Sequence, residues 1–308
     1  RPMLTINKLE PTIRQVVNDA RQNKPSIKVL PADSKADPDT AEVMDGLIRN
    51  IEYTSNADVA YDTAAECAVA GGFGYLRIRM DYADEDVFDM DLMIEAVPNP
   101  LCVYGDPASK KADSSDWNCA FVVDRLTEDQ YEAQWKGKAK VDWDEPDSWS
   151  AVDKEWRDDK TVMIAEYWKR EEYDKPIYLY NDLRDQSTLV LDDEGLQDED
   201  IAFAIQVGVV VPAEKNGKPV VRTAKCHKVT QYILSGAEVL ETNEWPGKYI
   251  PIVPVYGIDF NIEGKRYLRS LIHNAKDAQT MFNVWRTTST ELVALAPRTP
   301  YIGAKGVF

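Results

Sequence analysis

The sequence predicts an α+β fold with helices at the N-terminus, a mostly antiparallel β-rich middle and one long helix near the C-terminus. Three patterns predict it. Apolar residues recur at helical spacing up to about residue 70, short alternating runs follow from about 71 to 263, and a repeat of three and four residues runs from about 264 to 296. Short connections between the predicted strands favour antiparallel pairing. With 308 residues, the chain is long enough for one large domain or two.

The N-terminal helices are predicted from two apolar stripes and an alanine-rich segment. A polar joint at Lys35–Thr40 separates the stripes, and the alanine-rich segment ends at Gly71. The stripe residues are Leu9, Ile13, Val16, Val17 and Ala20 in the first helix, and Ala41, Met44, Leu47, Ile48 and Ile51 in the second.

Three glycines in four positions, Gly71, Gly72 and Gly74, raise the question of a phosphate-binding loop. Such a loop runs from strand to glycines to helix, so that the helix N-terminus meets the phosphates. Here the order is reversed, with a helical pattern before the glycines and an alternating strand pattern at Tyr75–Arg79 after them. The glycines are therefore predicted to end a helix in the left-handed conformation, and no nucleotide or other cofactor is expected.

The β-rich middle is predicted from short runs bounded by turn residues. A capping-box pattern at Thr127–Gln130 predicts a short helix that Gly137 can end. The predicted strands are Leu92–Val97, Cys119–Arg125, Val162–Trp168 and Ile177–Tyr180, with a hairpin from Lys225 to Thr242 that turns at Ser235–Gly236.

The long helical pattern from 264 to 296 ends at Pro297 and Pro300. A helix of about thirty residues is roughly 45 Å long, which is more than one small core needs. It is therefore predicted to pack against other subunits. Its spacing places Phe282, Trp285 and Leu292 on one face, and these are the candidate subunit-interface residues.

A search for catalytic or metal-binding residues predicts none. Only two histidines occur, and His227 lies beside Cys226, so that in a strand the two side chains would point to opposite faces. The four cysteines are far apart, which predicts neither a disulfide framework nor a metal site but reduced thiols. A carboxylate-only metal-dependent nuclease remains an alternative, although no particular residues are selected for it.

Acidic and aromatic clusters are interpreted as structural features rather than as binding sites. The run Asp81–Asp91 could hold a cation, but it lacks the glycine and the distal glutamate of an EF-hand and is predicted to be a solvated hairpin tip. The acidic segment 192–200 is interpreted in the same way. Six tryptophans are interleaved with acidic residues, which predicts core packing or protein contact rather than base stacking. They are Trp117, Trp135, Trp143, Trp149, Trp156 and Trp168.

Several stretches, taken in order, resemble one family, the portal proteins of tailed double-stranded DNA bacteriophages of the P22-like podophage type. The region from about 140 to 220 carries little of the resemblance. The stretches that carry it are Ala20–Val29, Ile48–Tyr53, Ala60–Ala64, Gly71–Gly74, Tyr167–Arg170, Tyr249–Gly257, Asn274–Gln279 and Ala294–Pro300.

The resemblance implies a homo-oligomeric ring, typically of twelve subunits, at a capsid vertex. Double-stranded DNA would be pumped in by the terminase and would leave through the tail. Residues 1–70 would form the helical part of an outer wing, 71–263 its β-rich part, 264–296 a stem helix and 297–308 the start of a clip, in a truncated chain. Lys276 and Arg286, off the interface stripe, are then the candidates for facing DNA in the channel.

The net charge of the chain fits this expectation. Lysine and arginine total 36 and aspartate and glutamate 53, so the formal net charge is −17. A ring of basic subunits would hold DNA rather than let it pass, so an acidic subunit suits a conduit.

The resemblance implies a non-enzymatic virion protein that is assembled in the host cytoplasm, contacts the capsid protein and a tail adaptor, and has no membrane partner. The alternative is another oligomeric virion protein, an adaptor or a scaffold.

Overall fold

A computed structural model gives the fold of most of the chain. It describes residues 3–23, 27–32, 37–84, 86–138, 157–158, 161–184, 188–193, 195–215, 218–296 and 305–306. The chain forms two compact units. Unit 1 comprises Arg1–Pro100 with Ile252–Phe308, and unit 2 comprises Leu101–Pro251.

Several helices of the described residues have a side-chain cap at their N-terminus. Asp37 caps α2, Thr127 and Gln130 form the predicted capping box of α4, and Ser270 caps α6. In chain order the helices are α1 Glu10–Gln22, α2 Pro38–Thr54, α3 Ala57–Gly71, α4 Glu128–Gln134, α5 Glu199–Gln206 and α6 Leu271–Leu295.

The strands confirm the antiparallel prediction, because every pairing between described strands is antiparallel. They are β1 Phe73–Tyr82, β2 Met90–Ala96, β3 Val103–Tyr104, β4 Cys119–Thr127, β5 Arg157–Asp158, β6 Thr161–Asp182, β7 Thr188–Asp192, β8 Val210–Pro212, β9 Glu214–Lys215, β10 Lys218–Pro219, β11 Val221–Leu234, β12 Val239–Trp245, β13 Ile252–Tyr256, β14 Ile258–Ile262 and β15 Lys265–Arg269.

Unit 1 is built around a three-stranded sheet in the order β13-β1-β2. Helix α3 packs on this sheet through a core of Ala60, Ala64 and Leu76, against which the apolar side chains of β2 and β13 pack. The alanine-rich sequence of α3 explains this arrangement, because small side chains let the helix backbone approach the strands closely.

The glycine joint between α3 and β1 confirms the structural interpretation of the three glycines. Gly72 has φ +98° at the end of α3, and its N–H donates to the Ala68 carbonyl. A Cβ on Gly74 would lie 2.2 Å from the Ala64 carbonyl oxygen, so only glycine fits there. Gly257 closes the joint from β13, since its N–H donates to the Gly72 carbonyl at 2.9 Å. The joint thus connects α3, β1 and the end of β13 through close backbone contacts.

Unit 2 is organised by β6, which is 22 residues long. The sheet order is β12-β11-β6-β4-β3, and β5, β7 and β8 also pair with β6. Val162–Trp168 and Ile177–Tyr180 were predicted as two separate strands. Both are confirmed as β-structure, but their separation is wrong, because they belong to the one strand β6. The charged residues between them remain in the strand because β11 pairs with β6 along its length. The hairpin that turns at Ser235–Gly236 is confirmed.

The core of unit 2 confirms the packing role of the described tryptophans. Trp117 is 2% exposed and Trp168 7%. Trp135 packs on the cluster of Tyr131 and Ile164, and its Nε1–H donates to Glu241. The predictions for Trp143, Trp149 and Trp156 lie outside the described residues.

Two predicted helix boundaries are corrected. The long helix begins at Leu271 rather than near residue 264, because Lys265–Arg269 pairs with β14 as a strand of a hairpin. Its 25 residues span about 37 Å instead of 45 Å. The short helix ends at Gln134, before Gly137. Within the described residues, no helix has both the length and the apolarity needed to cross a membrane.

Candidate functional site

Helix α6 is the element to which the sequence assigned the site residues, and its start is fixed by local contacts. The Ser270 side chain accepts a hydrogen bond from the His273 N–H at 3.1 Å. The backbone just before it packs on the glycine joint, where a Cβ on Gly72 would lie 3.2 Å from the Ser270 nitrogen. The first turn of α6 is therefore anchored to α3 and β1.

The rest of α6 is held by an extended N-terminal segment, residues 4–8, here called the strap. Three strap N–H groups donate to helix side chains: Leu4 to Thr287 at 3.2 Å, Ile6 to Asn283 at 3.2 Å, and Lys8 to Gln279 at 3.1 Å. The Gln279 amide also donates back to the Ile6 carbonyl.

The spacing explains this ladder of hydrogen bonds. Alternate residues of an extended chain are about 6.6 Å apart, and four residues of a helix rise about 6 Å. Gln279, Asn283 and Thr287 are four apart, so each meets one alternate strap residue. The sequence analysis missed this contact. The available signal was the run of amide and hydroxyl residues on one helical face.

The structure separates the three candidate interface residues. Phe282 is half-buried, with the Lys8 ammonium 5.9 Å and the Arg286 guanidinium 5.5 Å from its ring centre. Trp285 and Leu292 are each 67% exposed. Phe282 is thus partly covered within the subunit, whereas the other two are open to a partner.

The candidate channel residues, Lys276 and Arg286, are both exposed. Arg286 lies over the Phe282 ring, so the two predicted faces of the helix meet at this contact. Lys276 is three residues before Gln279, near the row that binds the strap. Without a neighbouring subunit or DNA, the assignments of both faces stay predictions.

Part of the exposed surface of α6 is apolar. No α6 residue is buried by the described part of the chain. The large apolar side chains that remain exposed are Met281, Val284, Trp285, Leu292, Val293 and Leu295. Clustered exposed apolar residues mark interaction surfaces, and aromatic anchors of this kind dominate association energies.

The other sequence candidates are placed as follows. The acidic run Asp81–Asp91 is confirmed as a hairpin tip, between β1 and β2. Among the described residues, no group of three His, Cys, Asp or Glu side chains is arranged to hold a metal ion. Burial of the imidazole lowers the pKa of His227, and the positive charge of Arg170 lowers it further. The negative charge of Glu172 opposes this shift.

Comparison with known proteins gives two findings. A family model described as "Phage P22-like portal protein" matches residues 1–308. A protein named "Portal protein" from Acyrthosiphon pisum secondary endosymbiont phage 1 is 27% identical to this chain over 289 residues. The match covers 92% of this chain and 39% of that relative, so the chain spans well under half of the relative's length.

Proposed function

Because the chain belongs to the family of phage P22-like portal proteins, we propose that it is a subunit of the ring at a capsid vertex through which double-stranded DNA is packaged and ejected. The observation that carries this proposal is the family match over residues 1–308. The same match favours a portal over an adaptor, a scaffold or a metal-dependent nuclease. A portal needs no catalytic residues of its own, because the terminase hydrolyses the ATP.

The exposed apolar face of α6 supports assembly into a ring. Trp285 and Leu292 are each 67% exposed in the single chain, and burying them against a neighbour would stabilise the oligomer. Phe282 would complete this interface beside the strap. Lys276 and Arg286 would face the DNA channel, in a ring of twelve subunits.

The net charge supports passage of DNA rather than its capture. Each phosphate that is neutralised by a lysine or arginine adds a salt-dependent attraction. A subunit with a formal net charge of −17 offers few such contacts. DNA would therefore slide through the channel with weak adhesion to its wall.

The remaining assignments follow the family. Residues 1–70 and 71–263 would form the wing, and α6 would form the stem that sequence analysis placed at 264–296. Residues 297–308 would begin the clip, and almost all of them lie outside the described residues. The ring would contact the terminase, the capsid protein and a tail adaptor, would be assembled in the host cytoplasm and would end in the virion.

The test combines particle mass with DNA packaging. Native mass spectrometry of the full-length protein should give a closed ring, and virions assembled without the protein should contain no packaged DNA. A closed ring that is dispensable for packaging would indicate an adaptor instead. A monomer that cleaves DNA in the presence of magnesium would favour the nuclease.

A further inference from the structure

Hairpin β14–β15 carries a surface that the sequence analysis did not find. One of its faces, here called the basic hairpin face, consists of Ile258, Phe260, Ile262, Lys265, Tyr267 and Arg269. The Phe260 and Tyr267 rings stack at 5.7 Å, and the Arg269 guanidinium lies 4.8 Å from the Phe260 ring centre. These contacts show that the side chains share one face.

The basic hairpin face is open to solvent and positively charged. Ile258, Ile262 and Tyr267 are 49%, 51% and 42% exposed. Neither Lys265 nor Arg269 forms an ion pair with a carboxylate of the described residues. The Arg266 charge is instead balanced by Asp259 on the opposite face of the hairpin. Two cations and several apolar groups thus lie together on a strongly acidic chain.

The β1–β2 hairpin tip has the complementary character. Between residues 80 and 92 the sequence has no lysine or arginine. Asp84, Asp86, Asp89 and Asp91 are exposed there. The side chain of Phe88 is 95% exposed, a high value for a large apolar group. We call the described part of residues 82–91 the acidic tip.

The two surfaces lie at opposite ends of the same strand. At its first residue, Phe73, β1 pairs with Tyr256, two residues before hairpin β14–β15 begins at Ile258. At its last residue, Tyr82, β1 pairs with Met90 at the base of the acidic tip. Nine residue steps of a strand are about 30 Å. The two surfaces are therefore presented at separate ends of unit 1.

We propose that the basic hairpin face of one subunit binds the acidic tip of a second copy of this chain. The proposal rests on the proposed ring and assigns one of its contacts. A closed ring needs two different complementary patches on each subunit, because each subunit contacts its two neighbours through different surfaces. Opposite charge would select the pairing, and the apolar groups on both surfaces would be buried by it.

A second copy fits both surfaces better than nucleic acid does. DNA phosphates would pair with Lys265 and Arg269 but would leave Ile258 and Ile262 in water. Phe88 and the aspartates of the acidic tip would have no place in such a complex. A copy of this chain accounts for the charges and the exposed apolar groups of both surfaces.

The experiment is a charge exchange in the full-length protein, read by native mass spectrometry and by binding of a duplex DNA fragment. The first variant is Lys265→Glu with Arg269→Glu, the second is Asp86→Lys with Asp89→Lys, and the third combines all four changes. Lys136→Glu with Lys138→Glu, at exposed positions in unit 2, is a control with the same change of charge as the first variant. Circular dichroism checks that every variant is folded.

We expect the first two variants to form on the order of a hundredfold fewer rings, because like charges then meet. The combined variant restores opposite charges and should recover rings, and the control should form rings like the unaltered protein. Rings that persist in both single-surface variants would overturn this contact while leaving the proposed function intact. So would monomers in the combined variant, or a loss of DNA binding with rings unchanged. An unaltered protein that forms no ring would overturn both proposals.

Discussion

Helices α3 and α6 belong to the same unit and are packed in opposite ways. Four of the fifteen residues of α3 are buried, all of them alanines: Ala57, Ala60, Ala64 and Ala68. The described chain buries none of the twenty-five residues of α6, which include an exposed tryptophan and several exposed aliphatic residues. The contacts of α3 are formed within one chain, whereas we propose that those of α6 are completed by other chains.

The side chains explain the difference. Alanines let α3 approach β1 so closely that Gly74 has no room for a Cβ. The large apolar side chains of α6 cannot pack in that way, and the strap binds only its polar row. A subunit built on this plan would be rigid at α3 before assembly and would gain most of the packing of α6 on assembly.

The largest effect is expected at the close contact of α3. Gly74→Val places a Cβ only 2.2 Å from the Ala64 carbonyl oxygen. This oxygen belongs to the backbone of α3, which cannot move aside as a side chain can. Overpacking of this kind should lower the free energy of unfolding by about 3 kcal/mol. Urea denaturation followed by circular dichroism measures it.

The control is Gly46→Ala in α2, where an added Cβ would meet nothing within 4 Å. Alanine is favoured over glycine inside a helix, so this change should stabilise the protein by about 0.5–1 kcal/mol. If Gly74→Val and Gly46→Ala had equal effects, α3 would not be packed as described.

A smaller effect is expected at the strap. Gln279→Ala with Asn283→Ala removes the acceptors of the Lys8 and Ile6 N–H groups, at about 1 kcal/mol for each hydrogen bond. Hydrogen exchange at residues 6 and 8 should become faster by at least tenfold. Asn274→Ala, at an exposed position on the same helix, is the control and should change nothing. Unchanged exchange in the double variant would mean that the strap is held by other contacts.

The smallest effect concerns pH. Burial raises the pKa of Tyr75 beside the glycine joint to about 12, so folding favours the neutral phenol. This stabilisation is fully present below pH 10, the ordinary pKa of tyrosine, and is lost as the pH rises towards about 12. Tyr75→Phe should flatten the decline of melting temperature across that range. Tyr53→Phe, at a side chain that is 88% exposed, is the control. An equal decline in both variants would contradict the burial of Tyr75.

The sequence predicted what depends on local chemistry. The end of α3 at Gly72, the capping box at Thr127 and the turn after Leu234 are each set by residues within one turn, and all three are confirmed. The α+β class also follows from the spacing of apolar residues in helices and strands, which can be read from a single sequence. The family resemblance rested on several short stretches, and the family match supports it.

The errors arose where distant residues decide the structure. The charged middle of β6 is a strand because β11 pairs with it, and nothing near Glu171 or Glu172 signals that partner. Lys265–Arg269 fits a helical repeat but pairs with β14. The strap joins residues more than 270 positions apart. The interface and channel faces of α6 remain predictions, since they depend on neighbouring subunits.

The central claim is that the exposed apolar face of α6 is completed by other subunits. Native mass spectrometry of full-length Trp285→Ala beside Arg286→Ala tests it most directly. Trp285→Ala should leave the subunit folded but weaken each interface by about 3 kcal/mol, which abolishes rings, while Arg286→Ala should assemble normally. Intact rings with Trp285→Ala, or monomers with Arg286→Ala, would contradict the account.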